Sequence, residues 1–177
     1  MKSKWILAVL VIALGAGIYG GAVLATPAGG LTTSTLAKAT ADDLNLTGRA
    51  FTTTTTADGR AHLTGVWLAS IRTLGLSDLY VIDNKIAPGG TTGWHSHPGP
   101  SIVFVVAGTV TNYTSDDPSC APHVYTAGQS FTDPGGQDSH VLHNEGTAVA
   151  ETIAVQFVPT AAARRIDASA PANCPSS

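Results

Sequence analysis

The chain has 177 residues, of which 44% are hydrophobic and 12% charged, with a formal net charge of −3. That balance suits one compact domain with appendages rather than a disordered polar chain. The only adjacent basic pair, Arg164-Arg165, is too little to neutralise a phosphate backbone, so nucleic acid is not an expected partner.

Met1-Lys2-Ser3-Lys4 opens the chain with positive charge, and the uncharged run 5–24 follows, ending in the small-residue site Val23-Leu24-Ala25. This is the pattern of an export signal, so residues 1–25 are read as a signal peptide cleaved after Ala25 and the protein as secreted or extracytoplasmic. The run is long enough to span a bilayer, and an uncleaved anchor is the alternative, though Gly15, Gly17, Gly20 and Gly21 weaken it as a stable helix. Membrane contact is expected through this segment alone. Residues 26–43 are Thr, Ala, Gly and Ser with few large apolar side chains, a composition that buries too little to fold, so they are expected to be a flexible linker.

Residues 44–160 are expected to form the folded domain. Strand candidates rich in β-branched residues run over 51–56, 62–74, 79–86, 102–113 and 147–158, punctuated by Asp58-Gly59 and other Gly and Pro turns. Short strands without a sustained helical period predict an all-β fold, an antiparallel barrel or jelly roll. The earlier strands are expected to complete the barrel. Residues 161–177 are left as a C-terminal tail. An oxidising compartment would let Cys120 pair with Cys174, and closing that loop would contribute about 4 kcal/mol in the chain-entropy model.

The chemistry concentrates in two stretches, Gly89-x5-His95-x-His97-x3-Ser101-x6-Gly108 and Gly128-x5-Pro134-x-Gly136-x3-His140-x3-Asn144. His95 and His97, two apart on an extended strand, face the same side and can offer imidazoles to one ion. The flanking Pro88, Gly89, Gly90, Gly93, Pro98, Gly99 and Pro100 forbid a helix. Pro134-Gly135-Gly136 makes a turn that launches the strand carrying His140, the expected third partner. His143 would face the other way unless a bulge exchanged the two. Alternation puts Ser101, Val103 and Val105 on the histidine side and Ile102, Phe104 and Val106 on the other.

These two stretches resemble the signature motifs of the cupin superfamily, small β-barrels that usually hold one metal ion. Two departures matter: Ser101 stands where the first motif normally has Glu, and His140 comes one residue late after Gly136. The resemblance implies one divalent metal (Fe, Mn, Zn, Ni or Cu) on His95, His97 and His140, a small-molecule ligand, and homodimerisation as an option. A serine hydroxyl is a poor ligand, so the expected first shell is three neutral histidines. That leaves the ion's charge uncompensated and favours an anionic small molecule. The resemblance further implies a metal-dependent dioxygenase, isomerase or hydrolase, against a non-catalytic binding module or a metal-free structural domain. Glu151 interrupts the face of Val149, Ile153, Val155 and Phe157; it sits at an exposed strand edge or, as the catalytic candidate, points into the barrel as a general base. His62 and His123 lie outside both motifs, Trp94 is assigned to packing, and Asn144 to holding a turn.

Overall fold

The computed structural model describes residues 25–176, so the expected export segment lies outside the described residues except for Ala25. The regular structure among them is entirely β. The strands are β1 (Gly29–Ala41), β2 (Asn45–Thr55), β3 (Ala61–Arg72), β4 (Ser77–Thr91), β5 (His95–Ser96), β6 (Ser101–Ala107), β7 (Thr109–Thr114), β8 (His123–Thr126), β9 (Ser130–Asp133), β10 (His140–His143), β11 (Ala150–Pro159) and β12 (Ile166–Asp167). Every pairing is antiparallel.

The strands form a nearly closed jelly roll. One half runs β1-β4-β11-β6-β9 and the other β12-β5-β10-β7-β8, with β10 tied to β4 through His143 and Thr91. The alternation expected of half-buried strands is clean on β11, where Ala150, Thr152, Ala154, Gln156 and Val158 are buried and the intervening residues are half-exposed. Inward residues of both halves meet in one core: Ile82, Ile86, Val103, Val105 and Ala154 from the first, Val110 and Leu142 from the second, with Phe131. Ile82 and Ile86 are fully buried, a gain of about 1.5–3 kcal/mol each.

Three sequence expectations change. Residues 29–41, expected to be a flexible linker, form β1 and pair with β4 from Gly29↔Thr91 to Ala41↔Ser77. An edge strand needs little apolar surface of its own when its neighbour supplies the ladder and the core, and β-branched Thr32, Thr33, Thr35 and Thr40 suit it. Polar contacts add to the pairing: Thr40 donates to Asp78 at 2.7 Å and Lys38 lies 2.9 Å from the same carboxylate.

Secondly, β2 and β3 do not complete the barrel. They pair only with each other, as a hairpin on which Leu46, Phe51, Leu63, Val66, Trp67 and Leu68 are all more than half exposed. The β-branched and aromatic pattern located these strands correctly but carried no information about their partner.

Thirdly, the C-terminal tail is a docked strap. Its β12 pairs with β5, the Ala168 amide donates to the Trp94 carbonyl at 2.9 Å, and the Trp94 indole N–H donates to the Pro175 carbonyl at 2.9 Å. The Cys120–Cys174 disulfide fastens the far end, and Trp94, Cys120 and Val141 form a second small core beneath it with Ala168 and Ala170.

Candidate metal centre

His95 lies on β5 and His140 directly across from it on β10, in register. His97 follows as the chain leaves β5, and it is held by two glycine contacts. Gly99 lies against the Phe157 carbonyl, and Gly135, with φ of 71°, lies against the Gly99 backbone. A Cβ at either position would overlap backbone atoms, and the positive φ at Gly135 further penalises any other residue. The Gly136 amide then donates to the His97 carbonyl at 2.7 Å, locking the turn that carries the second motif onto the loop that carries the first.

The three rings converge in the barrel interior. Each is at least 95% buried, and one ring nitrogen of each lies within 4.8 Å of the others. Every Nδ1 has its own acceptor: His95 Nδ1–H donates to the Gly93 carbonyl at 2.8 Å, His97 Nδ1–H to the Arg164 carbonyl at 2.7 Å, and His140 Nδ1–H to Asn112 Oδ1 at 3.3 Å. These bonds assign the proton to Nδ1 and leave each Nε2 as an acceptor, which is how a metal-ligating imidazole is oriented; the Gln156 amide nitrogen lies 3.4 Å from His97 Nε2 and can donate to it. His140 Nε2 is buried without a hydrogen-bond partner. A buried acceptor left unmade is costly unless something else occupies it, and an ion is what this donor set fits.

Burial favours the neutral rings. It lowers the His140 pKa to about 4, against an opposing pull from Asp133. His95 is held well below its ordinary value by burial and by the neighbouring His140, and His97 is lowered by burial first. Neutral imidazole is the form that binds a metal.

The histidines line a cavity of about 100 Å³. Ser101, Thr152 and Gln156 share it, all nearly fully buried, and so do Arg164 and Arg165. Arg164 donates to Gln156 Oε1 at 3.1 Å, while Arg165 donates to the Thr92 carbonyl at 2.8 Å and to Asp167 at 2.6 Å. Desolvation and the adjacent Arg165 lower the Arg164 pKa, though a guanidinium stays charged at any ordinary pH. A larger concavity of about 490 Å³ lies between the base of the β2–β3 hairpin and the barrel, but it carries no histidine or carboxylate.

The expected trio His95, His97 and His140 therefore comes together, and Ser101 sits on their side as alternation required. Glu151 does not join them. It pairs with Lys85 on the outward side of β11, 3.8 Å from its ammonium, because inward positions on that strand are the even-numbered ones; the lumenal placement of this catalytic candidate is overturned. His143 remains outside the trio, with its ring against Tyr113. His62 and His123 are exposed. Asn144 holds its turn, donating to the Ile86 and Ala148 carbonyls and accepting from the Gly146 amide.

Two sets of site residues were missed. Arg164 and Arg165 were read only as a short basic pair in the tail, and the docked strap is what brings them to the pocket. Asp133, at the end of β9, was not singled out, yet its Oδ2 lies 3.7 Å from both His97 Nε2 and His140 Nε2. The sequence signal was the carboxylate immediately before Pro134-Gly135-Gly136.

A jelly roll with three histidines converging from β5, β10 and the loop between β5 and β6 defines a cupin-type barrel. Residues 84–156 match the cupin domain family model, so this part of the chain is a cupin domain. No curated protein matches. Similar solved structures include a conserved protein of unknown function from Streptococcus pyogenes, 20% identical over 47% of this chain and 67% of that one, with a TM-score of 0.40. Oxalate oxidase is 26% identical over 46% of each chain, with a TM-score of 0.40. A cupin family protein with a double-stranded β-helix fold from Methanocaldococcus jannaschii is 17% identical over 46% of this chain and 70% of that one, with a TM-score of 0.41. The chain spans less than half the length of the oxalate oxidase.

Proposed function

We propose that this is an exported metal-binding cupin-domain protein, in which His95, His97 and His140 hold one divalent ion and a small anionic molecule binds beside it. The carrying observation is the joint presence, in one cavity, of three buried neutral imidazoles with their Nδ1 protons engaged and two guanidinium groups. Imidazole donors suit Zn, Cu, Fe and Ni, and outside the cytoplasm availability would decide among them. Export is supported by the N-terminal charge and apolar pattern and by the disulfide.

The cavity volume is about that of three waters at about 30 Å³ each. It therefore suits a carboxylate of two or three carbons, with Arg164 and Arg165 as its counter-charges. When bound, the ion would supply Lewis acidity at its open positions. The chain's own part would be to hold the anion against the arginines and, through Thr152, Gln156 and the packed barrel wall, to limit water. The cavity lining contains no carboxylate, so chemistry of the oxygenase kind would rest on the ion rather than on a protein base. That same feature is what favours the second reading, a binding module without turnover.

The test is calorimetric titration of small mono- and dicarboxylates into the manganese- or zinc-loaded chain, with oxygen uptake measured in parallel on the iron-loaded chain. The reading expects anion binding that requires the metal and weakens at least about tenfold in Arg164→Ala, about the loss of one charge-assisted hydrogen bond. Anion binding that is absent, or equal in the metal-free chain, would overturn it. Oxygen uptake separates the enzyme from the binding module.

A further inference from the structure

Ser101 leaves the histidine cluster without the carboxylate that would offset part of an ion's charge. The strand pairing shows where that charge can come from. Ser101 on β6 is in register with Asp133 at the end of β9, so the position that lost its acid in the first motif faces an acid on the neighbouring strand. Asp133 is 94% buried. Its Oδ1 accepts from the Gly135 amide at 2.9 Å, which fixes the carboxylate, while Oδ2 has no hydrogen-bond partner. That free oxygen lies 3.7 Å from His97 Nε2, which has only a long 3.4 Å contact to the Gln156 amide nitrogen, and 3.7 Å from His140 Nε2, which has no hydrogen-bond partner.

Two donors on one ion can be no more than about 4.2 Å apart, twice a metal–nitrogen distance of about 2.1 Å. Separations of 3.7 Å already satisfy that limit, and the histidine nitrogens, within 4.8 Å of one another, reach it by closing on the ion by up to about 0.6 Å. Two unpartnered buried atoms, Asp133 Oδ2 and His140 Nε2, thus face one point in space from adjacent segments. A buried carboxylate oxygen without a donor is expensive, and a cation between it and the two rings removes the cost. Resting on the three-histidine reading, we infer that Asp133 is a fourth ligand of the ion, supplying from β9 the negative charge that Ser101 does not supply from β6.

Two consequences follow. The ion's net charge in the site falls to about one, so attraction for an anion comes chiefly from Arg164 and Arg165. Asp133 also borders a separate cavity of about 140 Å³ that it shares with His140, Asp116 and Asp138. His140 and Asp133 thereby stand between an acidic hollow on one side and the arginine-lined cavity on the other.

The experiment is titration of the metal-free full-length chain with cobalt(II), followed by its visible absorption and by competition with a chromophoric chelator, for wild type, Asp133→Asn and Asp133→Glu. Asn keeps the oxygen that accepts from Gly135, and thermal melting of each metal-free variant verifies folding. The inference expects cobalt affinity to fall about 100-fold or more in Asp133→Asn, at or beyond the upper end for removing a mere orienting partner. The cobalt bands should shift as the donor set changes, and Asp133→Glu should recover part of both.

Difference infrared spectra of the wild type on zinc addition should also show a carboxylate stretch moving, a readout that needs no variant. If wild type binds cobalt while Asp133→Asn binds with the same affinity and bands, or if no carboxylate stretch moves, the fourth ligand is refuted and the histidine site stands. If wild type binds no metal at all, the three-histidine reading fails and the fourth ligand with it.

Discussion

Removal of the Cys120–Cys174 bridge, as the Cys120→Ser/Cys174→Ser double variant, should both destabilise the fold and loosen the strap over the metal centre. The bridged residues are 54 apart in sequence. Closing a loop of that size lowers the entropy of the unfolded chain by about 14 cal/mol/K, or about 4 kcal/mol at 25 °C. For a domain of this size that is a melting-temperature loss of about 8–16 °C. The strap's other anchors are the β12–β5 pairing, the small side chains Ala168 and Ala170, and hydrogen bonds that join Ala168 to Trp94 and Thr26, Pro175 to Trp94, Arg164 to Gln156 and His97, Arg165 to Thr92, and Asn173 to Pro118. Each hydrogen bond contributes about 1 kcal/mol net, against about 1 kcal/mol for every residue kept ordered. The strap should therefore fray before the barrel unfolds, and any fraying in the folded state reduces the global loss below 4 kcal/mol. Denaturant unfolding measures the first effect, and amide hydrogen exchange across residues 164–176 measures the second. An unchanged unfolding midpoint together with unchanged exchange in that segment would refute the reasoning.

Gly135→Ala should cost about 2–5 kcal/mol, from the left-handed φ and from overlap with the Gly99 backbone; thermal melting measures it, and a neutral result contradicts the packing described. Glu151→Gln should leave cobalt affinity unchanged and alter stability by less than about 1 kcal/mol, because its partner Lys85 is a surface contact. In the metal-stripped chain the buried histidines resist protonation, with His140 at about 4, while the unfolded chain takes up protons near pH 6.5. The unfolded state therefore binds more protons between those values, and stability falls as pH drops through that window. His140 alone should remove about 2 kcal/mol between pH 7 and pH 5, measurable by urea unfolding; equal stability at both values contradicts it.

What was legible in the sequence was local. The two-residue spacing of His95 and His97, the glycine and proline punctuation, and the alternation across Ser101 to Val106 each depend only on neighbours along the chain, and each is realised in the fold. The third histidine was legible because the turn before it left one strand phase to choose. Asp133 was not, since its role depends on which strand pairs with β6 and in what register. Arg164 and Arg165 were missed for a similar reason: a disulfide and one short strand bring a tail back across the barrel, and the partners of both, Cys120 and β5, lie far from the arginines in sequence. The β1 segment misled because composition measures what a strand can bury and not what a neighbour can bury for it. The hairpin misled in the opposite sense, with apolar residues enough for a core but none packed into it.

The central claim is that this barrel is built to hold a metal through His95, His97 and His140. Elemental analysis of the purified chain after exposure to iron, manganese, zinc and copper, beside the His95→Ala/His97→Ala variant, tests it most directly. The account predicts one divalent ion per wild-type chain and none in the variant. Equal metal content in the two, or none in either, would contradict it.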